Sequence, residues 1–298
     1  MQEKILIFGS NEDALNRNIN RQLKKLYDDK NGDSIVIDIQ GRLHLHDAQK
    51  LTLFSDTTVN PLDFFCRDSQ DLYEQEDFLF FMIETITGQF LTTQQKCSLD
   101  KLIIDLYHPY RSRLQGHINR NTIPTLLELY HALLADNETK LCALALEVYC
   151  KPLFCGHTNI DMGKHRNIYD MQEFGKDSQS LGTLIMLHQA FIQMQENYSN
   201  HKYTHLVLSS ISGNLAKGWG DYLVCIYKRM RMLGGDILLS TTDIPFLLDT
   251  DTGRCIMTNS QKIGIMKQPE QYHKRLAELF NIGEERLRAL KDDECLWI

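Results

Sequence analysis

Two short apolar runs, separated by a helix-patterned segment, constrain this chain most. Lys4–Gly9 (KILIFG) is an apolar run ending in Gly, and Ser34–Ile39 (SIVIDI) is a second, rich in β-branched residues. Continuous apolar runs of this length suit strands buried on both faces. Between them, Asp13–Tyr27 places Leu15, Ile19, Leu23 and Leu26 at helical spacing. Strand, helix and strand within about 40 residues form a βαβ unit, which predicts a parallel sheet covered by helices. A third strand is expected at Leu51–Phe54.

The period then changes. From about Asp71 to Pro152 the pattern is helical, with candidates Asp71–Thr87, Thr92–Tyr107, Thr122–Ala135 and Glu138–Tyr149. Thr92 and Gln95 have capping-box spacing, and Pro124 is expected in the first turn of its helix. Alternating strand and helix patterns return at Asn167–Met171, Leu181–Asn197, Tyr203–Leu208, Tyr222–Leu233 (stopped by Gly234 and Gly235), Ile237–Ser240 and Gln261–Met266. Helices at Glu270–Phe280 and Glu284–Leu290 and a last strand at Cys295–Ile298 complete the pattern. The expected organisation is an α/β domain over 1–64 and 156–298, with an all-helical insertion over 65–155.

Composition narrows the function. The net charge of −7 argues against nucleic acid as the main partner, because phosphate binding calls for a basic face. The longest apolar run, Phe78–Ile83, is far short of a membrane span, so membrane association is expected only through partners. The eight cysteines are scattered singly, as in a reduced cytosolic protein. Cys150, Cys155 and His157 come nearest to a metal motif but lack a fourth ligand, and His44 with His46 make a weaker one, so no metal is expected. Ser209–Ser212 lacks the spacing of a nucleophile elbow. His188 borders the apolar face of its helix and is read as a satisfied, partly buried histidine. Lys228, Arg229 and Arg231 form a small basic run read as a solvated helix face.

The first strand-to-helix turn is where a phosphate-binding loop, Gly-x-x-x-x-Gly-Lys-Ser/Thr, would sit. Here that stretch is Gly9, Ser10, Asn11, Glu12, Asp13, Ala14, Leu15 and Asn16. Leu15 removes the cation, Asn16 replaces the magnesium-binding hydroxyl, and Ala14 makes a positive-φ loop costly. Glu12 and Asp13 bring two negative charges to the place a polyphosphate needs; a like-charge pair at ~4 Å repels by about 1 kcal/mol even in water.

Several ordered segments resemble the conjugal-transfer motor ATPases of type IV secretion (the VirB/TraE/TrsE type). They are Ile35–Arg42 with Asn60–Asp63 (IVIDIQGR … NPLD), Leu91–Tyr107 with Ile123–Leu134, and Leu141–Tyr149 followed by Asn159–Asp161 and Ile168–Leu181. Lys202–Gly235 (KYTHLVLSSISGN … YKRMRMLGG) and His273–Leu290 (HKRLAELFNIGEERLRAL) complete the set. The resemblance implies a RecA-like P-loop NTPase sandwich, a mostly parallel sheet flanked by helices. It also implies that the strand Leu206–Leu208 should end in Asp-Glu, to order magnesium and activate water. Ser209 and Ser210 stand there instead. The family's sensor Gln falls on Thr242, and an Arg expected at a subunit contact falls near His273. Loop, metal ligand, base and sensor are all altered together.

The expectation is therefore a catalytically degenerate, cytoplasmic ATPase-like component of a conjugation machine, at the inner face of the membrane through its partners. It would use no cofactor. Its partners would be other secretion-machine subunits, including an active paralogous ATPase, with no strong direct DNA binding. The alternative is an active nucleotide-binding motor with a remodelled site, using ATP and magnesium, with Lys24, Lys25 or an Arg from a neighbouring subunit as replacement cation and Asp38 or Asp243 as metal ligand. A non-catalytic DNA-binding module is a third class, which salt-sensitive DNA binding would revive.

Overall fold

The computed structural model describes residues 3–27, 32–52, 57–65, 69–109, 120, 123–150 and 154–298. The βαβ unit forms as its pattern requires: β1 (Lys4–Phe8), α1 (Glu12–Tyr27) and β2 (Gly32–Asp38). Every residue of β2 is buried, the condition its β-branched run fits. β3 lies at Gln49–Thr52, two residues before the expected strand; residues 53–56 lie outside the described set.

Helices follow: α2 (Ser69–Thr87), α3 (Thr93–Tyr107), α4 (Leu126–Ala135) and α5 (Lys140–Glu147). The Thr92 capping box forms, with the Gln95 N–H donating to Thr92 Oγ1 at 3.2 Å and the Thr92 N–H to Gln95 Oε1 at 3.0 Å. Pro124 falls outside α4 rather than in its first turn. Thr125 is the N-cap instead, and the Glu128 carboxylate accepts from both the Thr125 N–H (2.7 Å) and its hydroxyl (2.8 Å).

The chain returns through β4 (Arg166–Asp170), α6 (Lys176–Ser199), β5 (Tyr203–Ser209), α7 (Gly220–Arg229) and β6 (Gly235–Thr241). A 3₁₀ turn, Met230–Leu233, ends α7, and Gly234 takes φ 64° to break it. α8 (Ile244–Asp249), α9 (Asp251–Asn259), β7 (Lys262–Ile265), α10 (His273–Phe280), α11 (Glu284–Arg288) and β8 (Leu296–Trp297) close the chain.

Among the described residues the sheet has eight strands in the order β3-β4-β2-β5-β6-β1-β7-β8, parallel throughout except for β8, which runs antiparallel to β7. Period-two alternation sends Leu6, Phe8, Ile35 and Ile37 into the larger core, and Ile7, Val36, Val207 and Leu238 into a smaller one. The helix that supplies the smaller core is α1, through Ala14, Leu15, Ile19 and Leu23. Among the described residues, no helix is long and apolar enough to cross a membrane.

Candidate functional site

In open parallel sheets, ligands bind beyond the carboxyl ends of the strands. β6 lies between β1 and β5 in this sheet, so the ends of these three strands bring Gly9, Thr242 and Ser210 to one edge.

The β1–α1 turn is bonded to its own helix, to the end of β6 and to the chain just after β7. The Gly9 N–H donates to Thr241 O (3.3 Å), and the Ser10 N–H and hydroxyl both donate to Lys267 O, at 3.1 and 2.9 Å. Asn11 caps α1, its Oδ1 accepting from the Ala14 N–H at 3.1 Å and its carbonyl from the Leu15 N–H at 2.9 Å. The N–H groups of Gly9, Ser10, Ala14 and Leu15 are thus spent on the fold. None of residues 9–16 has positive φ, so the expected strain at Ala14 does not arise: the turn is an ordinary capped helix start. Gly9 has a packing reason to be glycine, since a Cβ there would lie 2.8 Å from Met266 Cβ.

Leu15, which the sequence pattern predicts in place of a P-loop lysine, is fully buried in the smaller core. Truncating it removes apolar contacts and leaves a cavity, so Leu15→Ala should cost about 3 kcal/mol by urea denaturation. A loss under about 0.5 kcal/mol, the range of surface substitutions, would refute that packing role. Asn16 is 4% exposed, and neither amide atom has a hydrogen-bond partner among the described residues.

Glu12 is the centre of the site. One carboxylate oxygen accepts from the Ser210 hydroxyl and the other from Thr242 Oγ1 at 3.2 Å. The carboxylate sits in the first turn of α1, where the helix dipole favours an anion. Ser210 reaches it from a left-handed backbone (φ 56°), a strained conformation for a non-glycine residue. Its N–H donates to Ser240 Oγ at 3.1 Å.

Ser209 turns the other way. It is buried and donates to Asp38 Oδ1 at 3.2 Å. Asp38 also accepts from the N–H groups of Leu43 (2.6 Å) and Gln40 (3.2 Å). Its carboxylate therefore shapes the turn after β2. That turn delivers Arg42 to Asp13 as an exposed ion pair. Arg42 is the cation beside the β1–α1 turn that single-residue reading passed over, although it ends the IVIDIQGR segment.

The other proposed groups are elsewhere or already engaged. Lys24 lies twelve residues beyond Glu12 along α1, about 18 Å at 1.5 Å per residue. Lys25 lines a cleft of about 550 Å³ with Glu3 and Asp236, at the opposite strand ends. Neither can neutralise a phosphate at Gly9. Asp243 caps α8, accepting from the N–H groups of Phe246 (3.0 Å) and Gly213 (2.9 Å). His273 is buried, with Nε2 on Gln268 O at 2.9 Å; the nearby Arg275 pairs with Asp249 at 2.7 Å. Arg229, read as solvated, instead pairs with Glu74 at 2.6 Å and lies over the Phe191 ring. Among the described residues, no three His, Cys, Asp or Glu side chains form a metal-ligating group. Burial pushes the Cys150 thiol up to about 12, away from the reactive thiolate.

The helix-flanked, mostly parallel sheet has the fold of two solved proteins, VirB4 and the plasmid coupling protein TrwB. Among solved structures, VirB4 of Thermoanaerobacter pseudethanolicus superimposes with a TM-score of 0.81 at 15% identity, over 99% of this chain and 86% of that one. The plasmid coupling protein TrwB in complex with ADP and Mg²⁺ gives 0.57 at 8% identity, over 97% of this chain and 80% of that one. TrwB with the non-hydrolysable ATP analogue ADPNP gives 0.56 at 9%, over 97% and 80%. No protein-family model and no curated protein matches the sequence. At these identities the likeness carries the fold, and the site must be judged on its own residues.

Proposed function

We propose that this chain is a non-hydrolytic, motor-like component of a conjugative DNA-transfer machine, structural or regulatory in role. The observation that carries this is the Glu12 carboxylate, bound by Ser210 and Thr242 at the N-terminus of α1. It places a built-in anion where a nucleotide's phosphates would go. Leu15 buried in the core supplies no cation, and Ser209 engaged with Asp38 supplies neither a magnesium ligand nor a base. Such a subunit acts through protein contacts: with other secretion-machine subunits, including an active ATPase paralogue, at the cytoplasmic face of the membrane. Strong direct DNA binding is not part of this role, given the net charge of −7.

Calorimetric titration of ATP with magnesium into the folded chain is the test. No saturable heat is expected up to about 1 mM, a binding free energy weaker than about −4 kcal/mol. Micromolar binding sinks the proposal and makes turnover the next measurement.

One observation favours a second reading, an active motor with a remodelled site. The Asn16 amide is buried without partners among the described residues, where the sequence pattern puts the magnesium-binding hydroxyl, and a buried unsatisfied amide calls for a reason. In that case Arg42 would be the cation, and Arg42→Ala would weaken nucleotide binding.

A further inference from the structure

α5 shows two different faces. Cys142, Ala143 and Leu146 are buried, and the helix packs on α4 and α2. On its outer side Leu141 is 72% exposed, Leu144 47%, and Val148, the C-cap residue, 64%. Spacings of three and four residues make these the a, d and a positions of a heptad seam, the pattern that seeks a facing helix.

We propose that this seam is an interface with a second copy of the chain, in which two α5 helices pack antiparallel about a twofold axis. The flanking charges select this occupant. Lys140 and Glu147 occupy equivalent heptad positions on one edge of the seam, both are exposed, and neither has an ion-pair partner among the described residues. Antiparallel packing brings the same edges of two helices together, so each Lys140 meets the partner's Glu147, twice across the axis. A parallel pair would set Lys140 against the opposite edge, where Ala145 offers no charge. Such self-complementarity is what an isologous interface requires. The seam is barely two turns long, so the contact is smaller than a standard interface, and a Kd on the order of 10–100 μM is expected. It is independent of the nucleotide site.

Sedimentation equilibrium of the full chain at about 200 μM and low salt tests it, in a range set by that Kd. The wild type should show a monomer–dimer equilibrium. Leu144→Glu should be monomeric, because it buries a charge against its own copy. Lys140→Glu and Glu147→Lys should each weaken the dimer by about tenfold, through loss of two attractions and gain of two repulsions. The double variant Lys140→Glu/Glu147→Lys should restore it to within about threefold, since the pairs are then re-formed in reverse. That exchange also puts an acid at the helix N-terminus and a base at its C-terminus, which stabilises α5. All sites are exposed, so circular dichroism should show native folding. A wild type monomeric throughout, a Leu144→Glu variant that dimerises normally, or a double variant as weak as the singles overturns the proposal.

Discussion

Replacing His188 with Ala should destabilise the chain by about 4 kcal/mol, the range of a lost core ring plus orphaned partners. His188 on α6 is fully buried among its neighbours: Phe78 of α2 stacks on it at 3.6 Å and 4°. Its Nδ1 pairs with Tyr222 Oη of α7 at 2.6 Å, and its Nε2 with Gln75 Oε1 of α2 at 2.7 Å. An amide oxygen can only accept, so Nε2 carries the proton and the Tyr222 hydroxyl donates to Nδ1. Gln75 Nε2 continues to Pro61 O (3.1 Å) and Tyr107 Oη (3.2 Å), and the Tyr107 hydroxyl donates to Leu62 O at 2.7 Å. The chain of bonds fastens α2 and α3 to α6, α7 and the Asn60–Asp63 turn. Alanine would remove the stacked ring and strand two buried polar groups, each worth about 1–3 kcal/mol.

Burial pushes the imidazole down to about 3, so the native state holds it neutral. The stability this confers is present above the ordinary histidine value of about 6.5 and is lost as pH falls from there toward 3. Urea denaturation at pH 7 and pH 5 checks both claims. The variant should lie well below the wild type at pH 7, and the gap should narrow at pH 5. A loss under about 1 kcal/mol at pH 7, below the cost of even one orphaned buried group, would show that the network does not tie these helices together.

Much of the sheet was legible because buried parallel strands announce themselves as apolar runs. SIVIDI and YTHLVL are β2 and β5, with every residue from Thr204 to Ser209 buried. Helix ends were less legible. α6 begins at Lys176, five residues before its apolar periodicity at Leu181, because its first turn is polar. α4 begins after Pro124 because the Thr125–Glu128 cap outcompetes proline at the first helical position. The site divided in the same way. The expectation of a missing lysine at Leu15 rests on eight consecutive residues. The carboxylate at Glu12 gains meaning only from Ser210 and Thr242, 198 and 230 positions away, which nothing local announces. Arg42 and Asp13, 29 residues apart, meet only because Asp38 bends the chain after β2. His188 was expected to be partly buried. It is wholly buried because α2 and α7 close over both edges of its ring.

Asn60–Asp63, one of the segments that carried the family resemblance, leads to the second large effect. Asp63 is fully buried: its Oδ2 accepts from the Thr158 hydroxyl at 2.6 Å and lies 3.5 Å from Arg120 Nε. Asn60 Nδ2 beside it donates to Pro124 O at 2.8 Å, and Gln189 Nε2 of α6 donates to Asn60 O at 3.1 Å. Burial raises the Asp63 carboxyl from 3.8 to about 7, against the opposing pull of the Thr158 hydroxyl and Arg120. The guanidinium lies at salt-bridge distance, but among the described residues its Nε and one Nη form no hydrogen bond, and burial outweighs its pull. A native state that holds the proton more tightly than the unfolded chain is stabilised fully below pH 3.8 and loses that stability as pH rises through about 7. The full swing is about 4 kcal/mol, at 1.36 kcal/mol per pKa unit. Asp63→Asn keeps the shape and removes the titration. The stability of Asp63→Asn minus that of the wild type should therefore rise by about 4 kcal/mol between pH 4 and pH 8, whatever other groups do, because they titrate alike in both proteins. A difference that stays flat across that range would mean that Asp63 is ionised throughout, with Arg120 as its counter-ion, and that this turn is held by an ion pair.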